Sequence, residues 1–382
     1  MSEKPVIILG AGATKACGGP LTDEILPAAL NGETDYQTPV IDREDLLDYT
    51  GRFLADCFNV PSTRPVTRTD CPSLPRVLSM LRRSFDLNMP LGKWQGDELI
   101  KVKRAIEYSI FAVIEAALRR MPQPALTLHR DLLDGLYLRN VDFTVVSLNY
   151  DVIIDNTILA LNESRANMCM PDYGVDLSTP PYIRSVMTRG TRGRLYKIHG
   201  SLNWLYCEKC HRLDLFISEG MRTLKALDEL YNQLEEKGGY SCRGTPCRNK
   251  SCDGFVSPIL VSPTFAKDYE NPHIKRVWQQ AESAMKQCDR AVFIGYSLPD
   301  DDVEVAMLLK RGLGHLTSDR ITVVEYVPGD AEKSKGRMPL DQHPTGQHFR
   351  SIFGAGLDWH TTGFAGWLKE QQAANKFPFA PS

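Results

Sequence analysis

The sequence contains no apolar run approaching the ~20 residues that a helix needs to cross a bilayer. Its first residues, MSEKPVIILG, lack the layout of a signal peptide, so we expect a cytoplasmic protein. Charge of neither sign dominates, since 45 Lys and Arg residues face 47 Asp and Glu residues. This balance argues against direct nucleic-acid binding and against association with a membrane surface. Internal repeats and long low-complexity tracts are also missing.

The cysteines are distributed in a way that argues against a disulfide framework. Five of the ten lie within residues 207–252, and the others are scattered. Such clustering in a large chain without a signal peptide favours a metal site. Cys207 and Cys210, spaced C-x2-C, form one metal-binding knuckle.

The second half of the cysteine cluster leaves a choice of ligands. Cys247 and Cys252 are the better pair, because zinc ligands usually follow one another closely. Cys242 is a possible substitute and His211 a weaker one. Four thiolates leave no open coordination position, so such a zinc is predicted to be structural. The alternative is a degenerate site whose cysteines are unligated thiols.

Short apolar segments rich in Val and Ile predict the fold. They do not alternate with polar residues, as expected for parallel strands that are covered on both faces. Helical patterns separate several of them, which predicts an α/β, doubly wound (Rossmann-like), mainly parallel sheet. The predicted strands are residues 6–9, 143–148, 195–198, 291–294 and 321–327.

Two interruptions of this pattern are too long to be ordinary connections. The first carries apolar residues at helical spacing in residues 73–85, 98–120 and 126–138, and the second contains the cysteines around a predicted helix at 222–236. A chain of 382 residues also exceeds the usual size of a single core. We therefore expect a helical insertion and a small cysteine module beside the sheet domain. The predicted boundaries are 1–30, 139–206 and 259–382 for the sheet domain, 31–138 for the insertion and 207–258 for the module.

A glycine turn follows the first predicted strand. Gly10-Ala11-Gly12-Ala13-Thr14-Lys15 has the G-x-G of a nucleotide-binding turn, in which glycine lets the backbone approach a pyrophosphate. The sixth position of the G-x-G-x-x-G fingerprint is Lys15 rather than glycine. The motif alone is therefore weak, and a plain tight turn is nearly as good an explanation.

Polar residues end two other predicted strands. The stretch VVSLNYD places Ser147, Asn149 and Asp151 after a buried strand, and His199 follows residues 195–198. The alternatives are purely structural roles: Asn149 or Asp151 caps the next helix, and His199 is a hydrogen-bonded core residue. Ligands of open α/β sheets bind at the carboxyl ends of the strands, which favours a site.

Five short motifs in one order resemble the signatures of the sirtuin superfamily. They span residues 10–298 and read GAGAT, SLNYD, KIHGS, the cysteine cluster and IGYSL. GGPLT at 18–22 and the Pro-Thr at 263–264 resemble a divergent sirtuin-like branch of prokaryotic antiviral defence. The resemblance implies NAD as the substrate and zinc as a structural metal.

The resemblance also implies roles for individual residues. Asn149 would orient the ribose and a water molecule, and Asp151 would face positive charge or the nicotinamide amide. His199 would act as a general base on the ribose hydroxyls. The remaining residues implied to contact NAD are Gly10, Ala11, Gly12, Ala13, Thr14, Ser147, Gly295 and Ser297. Glu325, late in the predicted strand at 321–327, stands where an acidic residue can hold the adenine-side ribose of NAD, and the alternative is a solvated strand end.

Two departures from the sirtuin pattern indicate that water, rather than a peptide, accepts the ADP-ribosyl group of NAD. The Phe-Gly-Glu that pairs with substrate peptides in protein-deacylating sirtuins is missing, and residues 261–267 read VSPTFAK, with a proline that cannot donate a backbone hydrogen bond. The Asp-Phe-Arg that usually follows the glycine turn is replaced by GGPLTDE. We therefore predict an NAD glycohydrolase. The alternatives are an NAD-dependent protein deacylase and a non-catalytic module that senses NAD or ADP-ribose.

Control of this activity is a further expectation. An unrestrained NAD hydrolase would deplete the NAD of its own cell, and the chain contains no separate sensor domain that we recognise. Control is therefore expected to come from assembly, and we predict a homo-oligomer that needs a partner or a phage-derived trigger. The resemblance to defence proteins predicts a HerA-type ATPase or another sensor protein as the partner.

Overall fold

A computed structural model of the chain describes residues 4–34, 43–120, 127–164, 171–178, 193–215, 245–261, 271–333 and 336–374. The predicted helix at 222–236, Cys242 and the Pro-Thr at 263–264 lie outside these residues. Among the helices within them, none combines the length and the hydrophobicity that a bilayer-spanning segment requires.

Within the described residues, ten strands build two sheets. In chain order they are β1 (Pro5–Leu9), β2 (Thr144–Ser147), β3 (Arg194–Lys197), β4 (Gly200–Cys207), β5 (Leu213–Leu215), β6 (Thr245–Pro246), β7 (Phe255–Leu260), β8 (Arg290–Ile294), β9 (Ile321–Val324) and β10 (Asp358–His360). The larger sheet has the order β10–β9–β8–β1–β2–β3, with every neighbouring pair parallel. Renumbered within the sheet this is 3-2-1-4-5-6, the order of dinucleotide-binding sheets. The predicted fold class is therefore confirmed.

Helices lie between the strands. In chain order they are α1 (Ala11–Ala16), α2 (Ile25–Leu30), α3 (Arg43–Phe58), α4 (Leu74–Asp86), α5 (Asp97–Arg120), α6 (Thr127–Leu138), α7 (Ile153–Ser164), α8 (Pro272–Lys286), α9 (Val303–Leu313), α10 (Pro344–Phe353) and α11 (Gly363–Ala373). The three helices predicted from apolar spacing before the second strand are confirmed as α4, α5 and α6. Helix α3 was not predicted.

Buried apolar side chains form one core around the sheet and a second core among α2–α5. The central strands are inaccessible on both faces, as parallel strands usually are. The second core contains Phe53 of α3, Trp94 and Phe111 of α5. Ile106 and Ile110 of α5 are completely buried there, so this face of the helix belongs to a core. The domain boundaries given above remain a prediction.

The smaller sheet begins directly after β3 and is antiparallel. Its order is β5–β4–β7–β6, and β4 pairs along its length with β7. Strand β4 begins at Gly200, whose φ of +80° and whose closeness to the Ile259 carbonyl leave no space for a side chain. The chain can therefore leave the parallel sheet at this point and carry the cysteines away from it.

Candidate functional site

The carboxyl ends of four neighbouring parallel strands lie level with one another. Leu9 at the end of β1 pairs with Ser147 of β2 and Ile294 of β8, and Ser147 pairs with Lys197 of β3. The segments that follow these strands begin at one edge of the sheet. They contain the glycine turn, residues 148–151 (the Asn149 turn), His199 and Gly295, which lie in separate motifs of the sequence.

The side chain of Asn149 connects two of these segments. Its Nδ2 donates hydrogen bonds to the Gly10 carbonyl at 2.8 Å and to the Thr14 hydroxyl at 3.0 Å. Its backbone N–H donates to the Ser147 hydroxyl at 3.2 Å. The side-chain amide therefore faces the glycine turn across the sheet edge.

Asp151, rather than Asn149, caps the helix that follows. Its Oδ1 accepts a hydrogen bond at 3.0 Å from the backbone N–H of Ile153, the first residue of α7. Its Oδ2 accepts one at 2.6 Å from the Thr14 hydroxyl, and only 5% of the residue is exposed. Asp151 thus supports α7 and also fixes the hydroxyl that faces Asn149.

His199 is bound to the backbone of the Asn149 turn. Its Nδ1 lies 3.1 Å from the Leu148 carbonyl. A carbonyl oxygen only accepts hydrogen bonds, so Nδ1 carries the proton and Nε2 has the lone pair in the neutral ring. This is the tautomer that a general base needs at Nε2.

The strands of the smaller sheet hold His199 from the other side. The backbone N–H of Val261 donates to the His199 carbonyl at 2.9 Å. The Tyr150 hydroxyl donates to the Val261 carbonyl at 2.8 Å, and the Trp278 indole N–H donates to the Ile198 carbonyl at 2.8 Å. The backbone carbonyls of Ile198 and His199 are therefore bound by α8 and by the residue that follows β7, and only 3% of His199 is exposed.

The glycines of the turn after β1 pack directly on the turn after β8. A Cβ on Gly10 would lie 2.5 Å from the Gly295 carbonyl oxygen, and a Cβ on Gly12 would lie 2.6 Å from the Gly295 Cα. Gly295 itself has a φ of +64°. The N–H groups of Gly10, Gly12 and Ala13 donate to carbonyls of the protein. Packing between the two turns is therefore sufficient to explain these glycines.

The other residues implied to contact NAD lie farther along the same edge. The Ser297 side chain is exposed, and its carbonyl lies 3.1 Å from His348 Nδ1. Glu325 follows β9 and is half-buried, and its Oε1 accepts a hydrogen bond at 2.9 Å from the Tyr326 N–H. Strands β9 and β2 are three places apart in the sheet, about 14 Å at ~4.8 Å per strand. The structure therefore brings Asn149, Asp151, Thr14 and His199 together, and Glu325 lies apart from them.

The GGPLT segment after α1 is held in place by Glu24. The Glu24 carboxylate accepts hydrogen bonds from the Leu21 N–H at 2.6 Å and from Lys15 Nζ at 2.7 Å, and it also pairs with Arg68. A cavity of about 450 Å³ lies between this segment, α2 and α5. The segment next to the glycine turn thus contacts the helical insertion.

A thiol and an imidazole near Asp151 were not predicted. Cys17 Sγ lies 3.3 Å from His129 Nδ1, and both residues are buried. Burial and, to a smaller extent, the charge of Asp151 raise the pKa of Cys17 to about 12. Burial lowers the pKa of His129 to about 4, against the opposing effect of Asp151. Both groups are therefore neutral near pH 7, and a single sequence gives no signal for their contact.

Two further pairs near the edge were also missed. The Tyr296 hydroxyl donates to the buried Asp302 carboxylate at 2.7 Å, and burial followed by the Asp302 charge raises the pKa of Tyr296 well above its usual value. Lys197 forms an ion pair with Asp155 at 2.9 Å, with both side chains buried. A lysine next to an apolar run in KIHG was the available signal for the second pair.

The four predicted metal ligands lie together. The sulfur atoms of Cys207, Cys210, Cys247 and Cys252 are all within 4.8 Å of one another. The Cys207–Cys252 sulfur distance is 3.8 Å and the Cys210–Cys247 distance is 3.5 Å. Four thiolates about 2.3 Å from a tetrahedral zinc would lie about 3.8 Å apart. The cluster therefore fits a zinc ion.

The surroundings of the sulfurs also fit a closed thiolate site. Backbone N–H groups donate to sulfur from Asn249 to Cys247 at 3.4 Å and from Gly254 to Cys252 at 3.3 Å. Burial raises the pKa of Cys247 to about 12, whereas, against the effect of burial, hydrogen bonds from the Arg212 N–H and the neighbouring thiols lower the pKa of Cys210 to about 7, so the fit rests on the geometry of the sulfur atoms.

His211, the weaker alternative ligand, lies outside the cluster. Its Nδ1 pairs with the Tyr206 hydroxyl at 2.6 Å.

Comparison with known proteins leaves the family open. No protein-family model matches the sequence, and no curated protein matches it significantly. Among solved structures, the chain is similar to Sir2 in a complex with a p53 peptide and NAD+ (13% identity, 98% of this chain and 94% of that chain, TM-score 0.42). It is also similar to a Sir2 homologue mutant in complex with 2'-O-acetyl ADP ribose (12% identity, 98% and 92% covered, TM-score 0.43). A third structure, solved to explain the mechanism and regulation of Sir2 enzymes, shares 16% identity with this chain, with 93% of each chain covered and a TM-score of 0.37. These scores lie below 0.5, so the fold assignment rests on the strand order alone.

Proposed function

We propose that the protein hydrolyses NAD at the nicotinamide–ribose bond, giving nicotinamide and ADP-ribose. The observation that carries the proposal is that the Asn149 amide binds the glycine turn and the His199 imidazole binds the adjacent Leu148 carbonyl, at the carboxyl edge of a sheet with dinucleotide-binding strand order. The substrate itself is suggested by the order of the motifs, which resembles that of sirtuins.

The chemistry of the bond suits these residues. Cleavage expels a leaving group that is positively charged in NAD, and the transition state develops oxocarbenium character on the ribose. Both Nδ2 protons of Asn149 are donated to the Gly10 carbonyl and the Thr14 hydroxyl, so the amide offers its Oδ1 as an acceptor to a ribose hydroxyl or a water molecule. The Asp151 carboxylate favours positive charge nearby, and through Thr14 it also orients the Asn149 side chain.

His199 is proposed to act as the base. Its Nδ1 proton is held by the Leu148 carbonyl, so Nε2 is the atom that would accept a proton from a ribose hydroxyl or from water. Glu325 lies about three strand spacings, ~14 Å, along the sheet edge, and we propose that it contacts the adenine-side ribose at the other end of an extended dinucleotide.

Water rather than a peptide is the proposed acceptor. The reason is in the sequence: the Phe-Gly-Glu of protein-deacylating sirtuins is missing, and Pro263 removes a backbone donor that a bound peptide strand would use. An NAD-dependent deacylase remains the competing activity, and a test with an acetylated peptide separates the two.

The zinc is proposed to be structural. Four cysteine ligands would fill its tetrahedral coordination, so it would supply folding energy to the smaller sheet and no site for a substrate.

Gating is part of the proposal. His199 and Asp151 are 3% and 5% exposed, respectively, so little of either residue is open to solvent in this conformation. We propose a cytoplasmic homo-oligomer that acts as an antiphage effector and is activated by a phage-derived trigger or by a partner such as a HerA-type ATPase. Light scattering that gives a monomer at micromolar concentration would contradict the oligomer. Full turnover by the lone purified chain, without a growth cost on overexpression, would contradict the need for activation.

The acceptor is tested by measuring nicotinamide release from NAD with and without an acetylated lysine peptide. Hydrolysis predicts release that does not depend on the peptide and leaves the peptide acetylated. Release that requires the peptide, together with O-acetyl-ADP-ribose, would establish a deacylase instead. Tight NAD binding without release of nicotinamide would establish the sensing module.

A further inference from the structure

Lys197 is a charged residue in the centre of the molecule. It ends β3, and none of its side chain is exposed, which is rare for lysine. Its Nζ donates to Asp155 Oδ2 at 2.9 Å and to the backbone carbonyl of Asp151. The second oxygen of Asp155 accepts a hydrogen bond from the Tyr173 hydroxyl at 2.6 Å, so the carboxylate is bound on both sides.

Stability alone is a poor explanation for this pair. Removing two charges from water offsets most of their attraction, and well-packed apolar residues often stabilise a core equally well. The geometric effect of the pair is more specific. Its ammonium group donates to a carbonyl within two residues of Asn149, and Asp155 in α7 keeps that group in place.

The Asn149 turn is fastened at three successive points by the end of β3 and the start of β4. The Leu148 carbonyl is bound by His199, the Tyr150 carbonyl accepts the Leu202 N–H at 3.0 Å, and the Asp151 carbonyl is bound by Lys197. Lys197 and His199 are two residues apart, so the two side chains hold opposite ends of the same turn.

We infer that Lys197 is a positioning residue, which holds the backbone of the Asn149–Asp151 turn so that the Asn149 amide and the His199 imidazole keep their relative orientation. Its effect on catalysis rests on the proposed function, whereas its effect on the turn does not. Misplacement of a reacting group by about 1 Å costs about 10²-fold in rate.

The decisive variant removes both charges and keeps the core filled. In the Lys197→Met/Asp155→Leu double variant no charge is left unpaired in this ion pair, so we expect a folded protein whose melting temperature is lowered only modestly, by the loss of the Asp155 acceptor of the Tyr173 hydroxyl. The donor to the Asp151 carbonyl is nevertheless gone. We expect kcat for nicotinamide release to fall by about 10²-fold with little change in KM, because the loss is one of orientation. A folded double variant with wild-type kcat would overturn the inference.

Tyr173→Phe is the matched control. It removes the other hydrogen bond of Asp155 and leaves the contact between Lys197 and the Asp151 carbonyl in place. We expect kcat close to that of the wild type. A fall as large as that of the double variant would mean that burial of the whole network, rather than the Lys197 contact, controls the rate.

Hydrogen exchange separates this inference from the proposed function. In the double variant, the backbone amides of residues 148–153 should exchange faster than in the wild type, while those of β8 should be unchanged. This result requires no turnover. If the wild type fails to cleave NAD, the proposed function fails and the exchange rates still decide about Lys197. Unchanged exchange at residues 148–153 would overturn the positioning role even in an active enzyme.

Discussion

Replacement of Asn149 by alanine is the change that bears most directly on the candidate site. The substitution removes the two hydrogen bonds that Nδ2 donates, to the Gly10 carbonyl at 2.8 Å and to the Thr14 hydroxyl at 3.0 Å. Neither partner is left without a hydrogen bond. The Gly10 carbonyl still accepts the Ala13 N–H at 2.9 Å, and the Thr14 hydroxyl still donates to Asp151 at 2.6 Å.

The cost to stability should therefore be modest. Two hydrogen bonds contribute about 1–3 kcal/mol to the free energy of unfolding, and the lower part of that range applies when no buried group loses its last partner. A domain with about 5–15 kcal/mol of stability remains folded after such a loss. The rate of nicotinamide release should fall much further, by about 10²–10³-fold, as when a single preorganised polar group is removed from an active site.

Asn31 supplies the matched control for this experiment. It is also partly buried and also makes two side-chain hydrogen bonds, both with the backbone of Val66, at 2.9 and 2.8 Å. Asn31→Ala should lower the melting temperature about as much as Asn149→Ala and should leave NAD cleavage close to that of the wild type. Thermal unfolding and the rate of nicotinamide release are measured on the same preparations.

The activities of the two variants separate a role in the site from a general loss of stability. Activity of Asn149→Ala within a few-fold of the wild type would refute the assignment of the site. Equal loss of activity in Asn149→Ala and Asn31→Ala would show that lowered stability, rather than lost chemistry, explains the effect.

Three further predictions concern the metal, the turns and pH. Cys210→Ser should release about one zinc ion per chain and lower the melting temperature, because a closed thiolate site supplies folding energy; well-folded wild-type protein that contains no zinc by metal analysis would contradict this. A residue other than glycine in a left-handed backbone conformation costs about 1–3 kcal/mol. Gly295→Ala should lower the free energy of unfolding by more than this, because its Cβ would also lie 2.3 Å from the Ala13 nitrogen, and denaturant titration measures the loss. Because the pKa of His129 falls from 6.5 in the unfolded chain to about 4 in the folded one, only the unfolded chain gains this proton between these values. The free energy of unfolding therefore falls by about 3 kcal/mol through His129 as the pH is lowered from 6.5 to 4, and His129 has no such effect above pH 6.5. This pH dependence should be missing in a folded His129→Gln variant.

Strands buried on both faces were predictable, and the others were not. The five predicted strands all occur, because continuous Val and Ile runs are typical of a parallel sheet. The last of them ends at Val324 rather than at residue 327. Strand β10 was missed because its Asp-Trp-His lies at the edge of the sheet and is partly exposed, so it lacks an apolar run.

The residues of the candidate site were predictable from the ends of the strands, and their contacts were not. Asn149, His199 and the glycine turn follow parallel strands, and the common edge brings them together. The sequence left open whether Asn149 or Asp151 caps α7; the structure assigns the Ile153 N–H to Asp151.

Pairs that join distant segments gave no recognisable pattern in one sequence. Cys17 meets His129, and Lys197 meets Asp155, across separations of 112 and 42 residues, respectively. Only the tertiary packing of the helices on the sheet creates these contacts.

The claim that the protein hydrolyses NAD can be tested by proton NMR of NAD incubated with the purified wild-type chain at stoichiometric concentration, without any peptide. We expect nicotinamide and ADP-ribose to appear in equal amounts as the NAD signals decay, slowly with the chain alone and faster after addition of an activating partner, and the Asn149→Ala protein to leave the spectrum unchanged over the same time. NAD that stays intact with the wild-type chain, alone and after addition of an activating partner, would contradict the claim.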